Sequence, residues 1–168
     1  MYKQKIKKIL HNITKTIIIR EENYLKKTFL LITAVMLIII FTILGYIIQK
    51  REEQNKLISY NKEYEYYLNK QIYGTEVATL INKVIEQNQK NEIPKDENGY
   101  YIENDTNSIK IELKMITIEK TYQMETIYNN KMENFIKNFN IILFKCTNIE
   151  YHKKTGKISK ITFEQIEK

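Results

Sequence analysis

The residues best suited to catalysis in this 168-residue chain are its single cysteine, Cys146, and one of its two histidines, His152. A cysteine and a histidine can form a nucleophile and its general base when their side chains touch. Here they lie in one predicted strand and are separated by about 20 Å, at roughly 3.3 Å per residue. No third residue is placed to orient the histidine. We therefore predict that Cys146 packs as a small apolar side chain and that His152 lies in a solvated turn. We also predict that the chain is not an enzyme.

Patterns for metal or nucleotide binding are equally weak. His152 and Glu150 offer two ligands on one strand face, fewer than a metal site needs. Six residues between positions 96 and 105 could supply oxygen ligands to a weak Ca²⁺ site, but solvated turns explain them better. These residues are Asp96, Glu97, Asn98, Glu103, Asn104 and Asp105. The sequence contains no P-loop, zinc-protease or EF-hand motif, and we expect no cofactor.

Charge is concentrated in the first part of the chain. The formal net charge is +7, and residues 1–27 hold eight basic and two acidic side chains, which leaves the rest close to neutral. Nucleic-acid-binding domains usually carry a basic stripe with stacking aromatic residues on a folded face, so this distribution argues against a nucleic-acid partner. A basic segment beside an apolar run is instead typical of binding to an anionic membrane surface.

Residues 28–49 form a run of 22 uncharged positions, most of them Ile, Leu, Phe or Val. A helix of that length spans about 33 Å, enough to cross a hydrocarbon core of about 30 Å. Lys26, Lys27, Lys50 and Arg51 flank the run, and no A-x-A cleavage pattern follows it. The sequence therefore predicts an uncleaved transmembrane signal anchor in contact with membrane lipid, in preference to a buried core helix or a cleaved signal peptide.

The orientation of this span follows from the basic residues on its two sides. Residues 1–27 carry eight, whereas residues 50–70 carry five, interleaved with four acids. The positive-inside rule then predicts a cytoplasmic N-terminus and an extracytoplasmic C-terminal part. Apolar residues recur at helical spacing between Tyr2 and Ile17, which predicts a basic amphipathic arm within residues 1–27. The arm either lies on the inner membrane face or serves only to set the orientation.

Residues 50–90 keep a helical pattern beyond the span. We predict one amphipathic stalk helix that continues the span and is hinged near Gly74. The first half of the stalk carries a tyrosine-rich stripe, which either packs against the chain's own domain or binds a partner helix. The candidate partner-binding residues are Leu57, Tyr60, Tyr64, Tyr67 and Leu68. The second half, with Val77, Leu80, Ile81 and Val84, is expected to pack against a sheet.

Residues 91–168 are predicted to form an extracytoplasmic β-rich domain, because beyond Pro94 and Gly99 the apolar period becomes alternating. We expect a hairpin from residues 100–103 and 109–115, a strand over 121–128 with a helical alternative, and a short helix near 130–138. A second hairpin, from residues 141–151 and 158–163, should have a bulge near Thr147–Asn148 and a positive φ at Gly156. The predicted fold class is α+β: one N-terminal transmembrane helix continuing into an amphipathic helix, packed on a small antiparallel sheet with one short helix.

This layout resembles that of type IV pilins and pseudopilins, which join a basic leader, one long apolar helix and a small antiparallel sheet. The stretch from Gly74 to Lys83, GTEVATLINK, is similar to the Gly-Ser/Thr-x-Val-x-x-x-Ile segment of small pilin-like proteins of Gram-positive bacteria. Lys27-Thr28-Phe29 stands where the family has a glycine before a hydrophobic residue, and the span lacks the family's glutamate. The resemblance thus implies the architecture and an envelope location without implying prepilin processing.

These observations predict a non-enzymatic, single-pass envelope protein that acts as a structural or interaction component. Its transmembrane and stalk helices would associate with a protein partner or with a second copy, as in a pseudopilin-like accessory of a pilus or secretion assembly. The alternative is a membrane-anchored sensor or regulatory module with an extracytoplasmic ligand-binding domain, which predicts a defined pocket under the sheet.

Overall fold

A computed structural model describes residues 2–116 and 118–166 of the chain, with side chains from His11 onward except that of Ile13. The chain divides into two compact units, Met1–Glu53 and Gln54–Lys168. The first helix, α1 (Tyr2–Glu65), contributes residues to both units. Most side chains of the predicted amphipathic arm, from Tyr2 to Ile13, lie outside the described residues.

The first unit is helical in every residue that the structure describes, as the uncharged run requires. Thr28, Thr33 and Thr42 each donate a side-chain hydrogen bond to a backbone carbonyl three or four residues earlier, at 2.9, 2.9 and 2.8 Å. The threonine hydroxyls of the apolar run are therefore satisfied within their own helix, which removes much of the cost of placing them in an apolar environment.

The second unit is α+β, which confirms the predicted class. After α1 come β1 (Gln71–Tyr73), α2 (Gly74–Lys90), β2 (Lys110–Met115), β3 (Lys120–Gln123), α3 (Met124–Asn129), α4 (Met132–Phe139), β4 (Leu143–Tyr151) and β5 (Ile158–Gln165). Two short helices thus follow β3, where the sequence predicted one. The uncertain stretch 116–128 contains both predicted alternatives, a strand and then a helix.

The five strands form one sheet in the order β1-β4-β5-β2-β3. Neighbouring strands are antiparallel except β2 and β5, which run parallel with Lys110 opposite Lys160. The predicted antiparallel sheet is therefore confirmed for three of its four strand pairs, and one pair is parallel. Between β2 and β5 the chain passes through two helices and two strands, which give it the length to return and start β5 at the same end as β2.

The predicted single stalk helix over residues 50–90 is interrupted. The helix α1 ends at Glu65, Asn69 adopts a φ of 62°, and Ile72 pairs with Phe144 in the sheet. The backbone of this segment also bonds to β4, because Asn69 N donates to Cys146 O at 2.9 Å and Cys146 N donates to Lys70 O at 3.2 Å. Sheet pairing thus overrides the helical pattern of the sequence, and Gly74 begins α2 instead of forming a hinge.

The hairpin predicted from residues 100–103 and 109–115 does not form. Tyr101 makes only an isolated bridge with Lys95, and Ile102 N donates to Pro94 O at 2.9 Å. The strand predicted at 109–115 is present as β2, but it pairs with β3 and β5. Strand β2 therefore pairs with β5, which is far along the sequence, and not with the nearby residues 100–103.

The second predicted hairpin is confirmed by β4 and β5. Its register shifts between Cys146 and Asn148, where the bulge was expected. Gly156 has a φ of 68°, and its N–H donates to His152 O at 2.8 Å across the turn. A positive φ costs little at glycine, so this turn could be predicted from its residue types.

The core of the second unit lies between α2 and the sheet. Val77, Leu80, Ile81 and Val84 of α2 are at most 2% exposed, which confirms that this face packs inward. The sheet contributes residues with similarly complete burial from three strands: Ile111, Leu113, Phe144, Ile161 and Phe163. Burial of so many branched and aromatic side chains is the main source of the domain's stability.

Candidate functional site in an exposed helix and a small cleft

The uncharged run of α1 exposes its apolar side chains along its whole length. Phe29, Leu30 and Phe41 are 73%, 74% and 69% exposed, and none of the most apolar window is buried. Soluble proteins rarely expose a contiguous apolar surface of more than a few hundred Å² to water. The segment is therefore compatible with a membrane anchor, and it does not have the burial of a core helix.

The tyrosine stripe predicted to bind a partner packs largely against its own domain. Tyr64 is 1% exposed and belongs to the core, whereas Leu57, Tyr60 and Tyr67 are half-buried and Leu68 is 40% exposed. A partner cannot reach Tyr64 in this fold, so its predicted role as a contact residue requires correction. The side chains of Ile58 and Tyr66 are more than 60% exposed and lie on the accessible side of the same segment.

Aromatic packing explains why Tyr64 is held inside. Its ring meets that of Tyr60 edge to face at 5.5 Å between centroids, and Tyr67 meets Phe163 of β5 at 6.5 Å. Burial raises the pKa of Tyr60 to about 12 and raises the pKa of Tyr64 further. Both phenols are therefore neutral at physiological pH, and their role in this position is packing.

The cysteine and histidine considered as a catalytic pair have separate partners. Cys146 is fully buried, and burial raises the pKa of its thiol to about 11, so it is unreactive in the folded domain. His152 is 7% exposed, and its Nε2 lies 2.7 Å from Ser108 O. The expectation of a solvated turn histidine was therefore wrong, because a carbonyl 44 positions away in the chain holds its ring.

The oxygen-rich residues between positions 96 and 105 serve turns and ion pairs. Asp96 Oδ1 accepts hydrogen bonds from the N–H groups of Asn98 and Tyr100, and Asn104 Oδ1 accepts from three N–H groups that follow it. Asp105 pairs with Lys154 at 2.7 Å. Within the described ranges, no group of three or more His, Cys, Asp or Glu side chains is arranged to hold a metal ion.

Comparison of the chain with family models, curated proteins and solved structures found no match. The resemblance of the segment Gly74 to Lys83 to pilin-like proteins consequently stays a prediction. The function of this chain has to be argued from its own residues and their geometry.

The structure also contains a feature that the sequence did not reveal, a cleft of about 140 Å³ beside the sheet. Its apolar lining includes Met115 of β2, Tyr122 of β3, Ile127 of α3 and two phenylalanines of α4. Five polar residues complete the lining, namely Thr126, Asn130, Lys131, Asn134 and Asn138. Asn134 and Asn138 are four residues apart in α4, a spacing that predicts one polar helix face, but this spacing did not show that an apolar cleft lies beside that face.

Proposed function

We propose that this chain is a single-pass membrane protein anchored by residues 28–49, with its basic N-terminal arm in the cytoplasm and its α+β domain outside. The observation that carries the proposal is the uncharged helical run whose apolar side chains are exposed throughout. Only a lipid environment makes such a surface favourable along its whole length. The excess of lysine and arginine before the span supports the proposed orientation.

We further propose that the anchored domain acts as a structural or interaction component of an envelope assembly, in the manner of pseudopilin-like accessories. The layout and the Gly74–Lys83 segment support this role, as does the exposed side of the helix after the span. Because Tyr64 faces the core, we assign the contact surface to Ile58, Tyr66 and Leu68, with Leu57 and Tyr60 at its margin.

A second candidate role is that of a membrane-anchored sensor, and the observation in its favour is the cleft beside α4. An apolar pocket with a few polar groups at its rim is the usual form of a small-ligand site. The two roles share the anchor and differ in what the domain binds.

The anchor can be tested by fractionation of cells that express the full chain. We expect the protein to stay in membranes after carbonate extraction, and external protease to degrade the α+β domain in cells whose outer barrier has been removed. The double variant Ile38→Lys, Ile39→Lys should leave the membrane, since each charge at the span centre costs about 2.5–3.5 kcal/mol. The matched control Ile58→Lys should stay membrane-bound. A freely soluble wild-type chain, or a domain protected from protease until lysis, would overturn the proposal.

The assembly role can be tested by photocrosslinking in intact membranes. A photoreactive residue at Ile58 or Tyr66 should trap a discrete partner or a second copy, because both positions are exposed. The same residue at Tyr73, which is 52% exposed on the edge strand β1, is the control for random collision. If neither Ile58 nor Tyr66 traps more than the control, the assembly role is wrong.

A further inference from the structure

The cleft beside α4 has the size and lining of a site for one ring. Its volume of about 140 Å³ is close to that of an engineered apolar cavity of about 150 Å³ that binds benzene. Met115, Ile127 and Phe135 are at most 8% exposed and form a fixed apolar surface, while Tyr122 and Phe139 are half-buried at its side. Such a surface accepts an aromatic ring, since neighbouring rings favour offset or edge-to-face contact.

The polar residues at the rim of the cleft indicate which substituent a bound aromatic ring should have. Lys131 is the only charged side chain among the ten lining residues. It makes no ion pair with any other described residue, unlike the paired lysines Lys110, Lys114 and Lys160. An unpaired ammonium beside amide groups favours an anionic oxygen group over a neutral or cationic one.

The backbone of Lys131 gives an independent sign of a special position. It has a φ of 67° and a ψ of 113°, and it immediately precedes α4. Asparagine can ease this conformation with a local side-chain hydrogen bond, and glycine can adopt it because it has no Cβ atom. Lysine has neither advantage. Strained non-glycine residues concentrate at ligand-binding and active sites, where surrounding contacts hold them.

We propose that this cleft binds a small aromatic carboxylate, with its ring against Phe135 and Phe139 and its carboxylate beside Lys131. The ring supplies most of the affinity, because an exposed ion pair contributes little. A ligand of about ten heavy atoms should then bind with a dissociation constant of about 1 mM or somewhat tighter. The proposal deepens the sensor role and does not depend on the assembly role.

The test uses the full chain in lipid nanodiscs and three probes: phenylacetate, its neutral isostere phenylacetamide, and acetate, which has no ring. In amide-resolved NMR titrations, phenylacetate should shift resonances of residues 122–139 at concentrations of about 1 mM. Phenylacetamide should bind about 2- to 5-fold more weakly, as expected for loss of one exposed ion pair. Acetate should leave these resonances unchanged.

Two variants separate a specific site from general adsorption. Lys131→Gln should abolish the preference for phenylacetate over phenylacetamide while leaving phenylacetamide binding intact. Lys137→Gln, in the last turn of α4 and outside the cleft lining, should keep the wild-type preference. The proposal is overturned if phenylacetate leaves residues 122–139 unshifted in the wild-type chain, or if the preference survives in Lys131→Gln. Binding is read directly, so its failure is distinct from failure of the membrane and crosslinking tests.

Discussion

Gly74, the first residue of α2, lies directly against the backbone at the end of α4. A Cβ atom at this position would lie 2.0 Å from Phe139 O and 2.8 Å from Phe139 C. Both are backbone atoms at the end of α4, which cannot swing aside as a side chain could. In addition, Gly74 N donates to Ile142 O at 3.0 Å, so the glycine fixes the start of α2 against the segment that leads into β4.

We therefore expect Gly74→Ala to destabilise the domain by about 1–3 kcal/mol, the usual cost of forcing extra atoms into a packed contact. The measurement is the denaturant midpoint of the full chain in micelles, followed by near-ultraviolet circular dichroism of its tyrosines. The control is Gly45→Ala, where the added methyl group would have no atom within 4 Å apart from the adjacent residues and backbone of its own helix. Equal midpoints for the two variants would show that α4 adjusts freely.

Individual residues were predictable from the sequence only where neighbours along the chain decide their environment. The buried face of α2 follows from the spacing of Val77, Leu80 and Val84, and the structure agrees. The environments of His152 and Tyr64 were not predictable in this way. The ring of His152 is held by Ser108 O, and the ring centroid of Tyr64 lies 5.5 Å from Lys83 Nζ of α2. Both partners are distant in sequence, and no local pattern predicts such contacts.

Two asparagines connect helices to strand beginnings in the same way. Asn88 of α2 donates from Nδ2 to Ile109 O at 2.7 Å and accepts at Oδ1 from Ile109 N at 2.9 Å. Asn61 of α1 donates to Gly156 O at 2.8 Å and accepts from Ile158 N at 3.1 Å. Each amide thus satisfies one donor and one acceptor just where β2 and β5, the parallel pair, begin.

Asn88→Ala should cost about 2–5 kcal/mol, because it leaves a buried N–H and a buried C=O at Ile109 without partners. Asn61→Ala should cost less, since its hydrogen bond to Gly156 O is only partly buried. Asn82→Ala, at a half-buried position on α2, should cost least. Denaturant midpoints rank the three variants. Hydrogen exchange at β2 should accelerate most in Asn88→Ala, and an order led by Asn82→Ala would contradict this account.

Elements made by short-range contacts were predictable, and those made by long-range pairing were not. The β4–β5 hairpin is marked by Thr155 and Gly156, whose types suit the turn. The pairing of β2 with β5 joins Lys110 to Lys160, and an alternating pattern does not reveal which other alternating segment lies beside it. For the same reason, the cleft could not be foreseen, because its lining comes from four elements.

The α+β domain as a whole should lose stability in alkali. Burial raises the pKa of Tyr60 to about 12, and burial together with the hydrogen bond to Glu65 raises the pKa of Tyr151 to about 12. In the unfolded chain these phenols titrate near pH 10, which is about their unperturbed value. Between about pH 10 and 12 the unfolded state therefore binds fewer protons than the folded state, and the free energy of unfolding falls as pH rises.

We expect Tyr60→Phe to flatten this decline, because phenylalanine keeps the ring packing and removes one titrating group. Each such group contributes at most about 1.4 kcal/mol per pH unit to the slope. Denaturant midpoints at a series of pH values from 9 to 12 give the slope. A wild-type chain whose midpoint is constant over this range would refute the assignment.

The central position of β5 in the sheet governs how a newly made domain can assemble. The strand lies between β4 and β2, yet it follows every other strand in chain order. While a nascent chain is still emerging, β2 and β4 have no shared neighbour, and the apolar edges around Leu113 and Phe144 have nothing to close against. The complete five-stranded sheet can consequently form only after residues 158–165 have left the ribosome, so the domain cannot finish folding while its last strand is still being made.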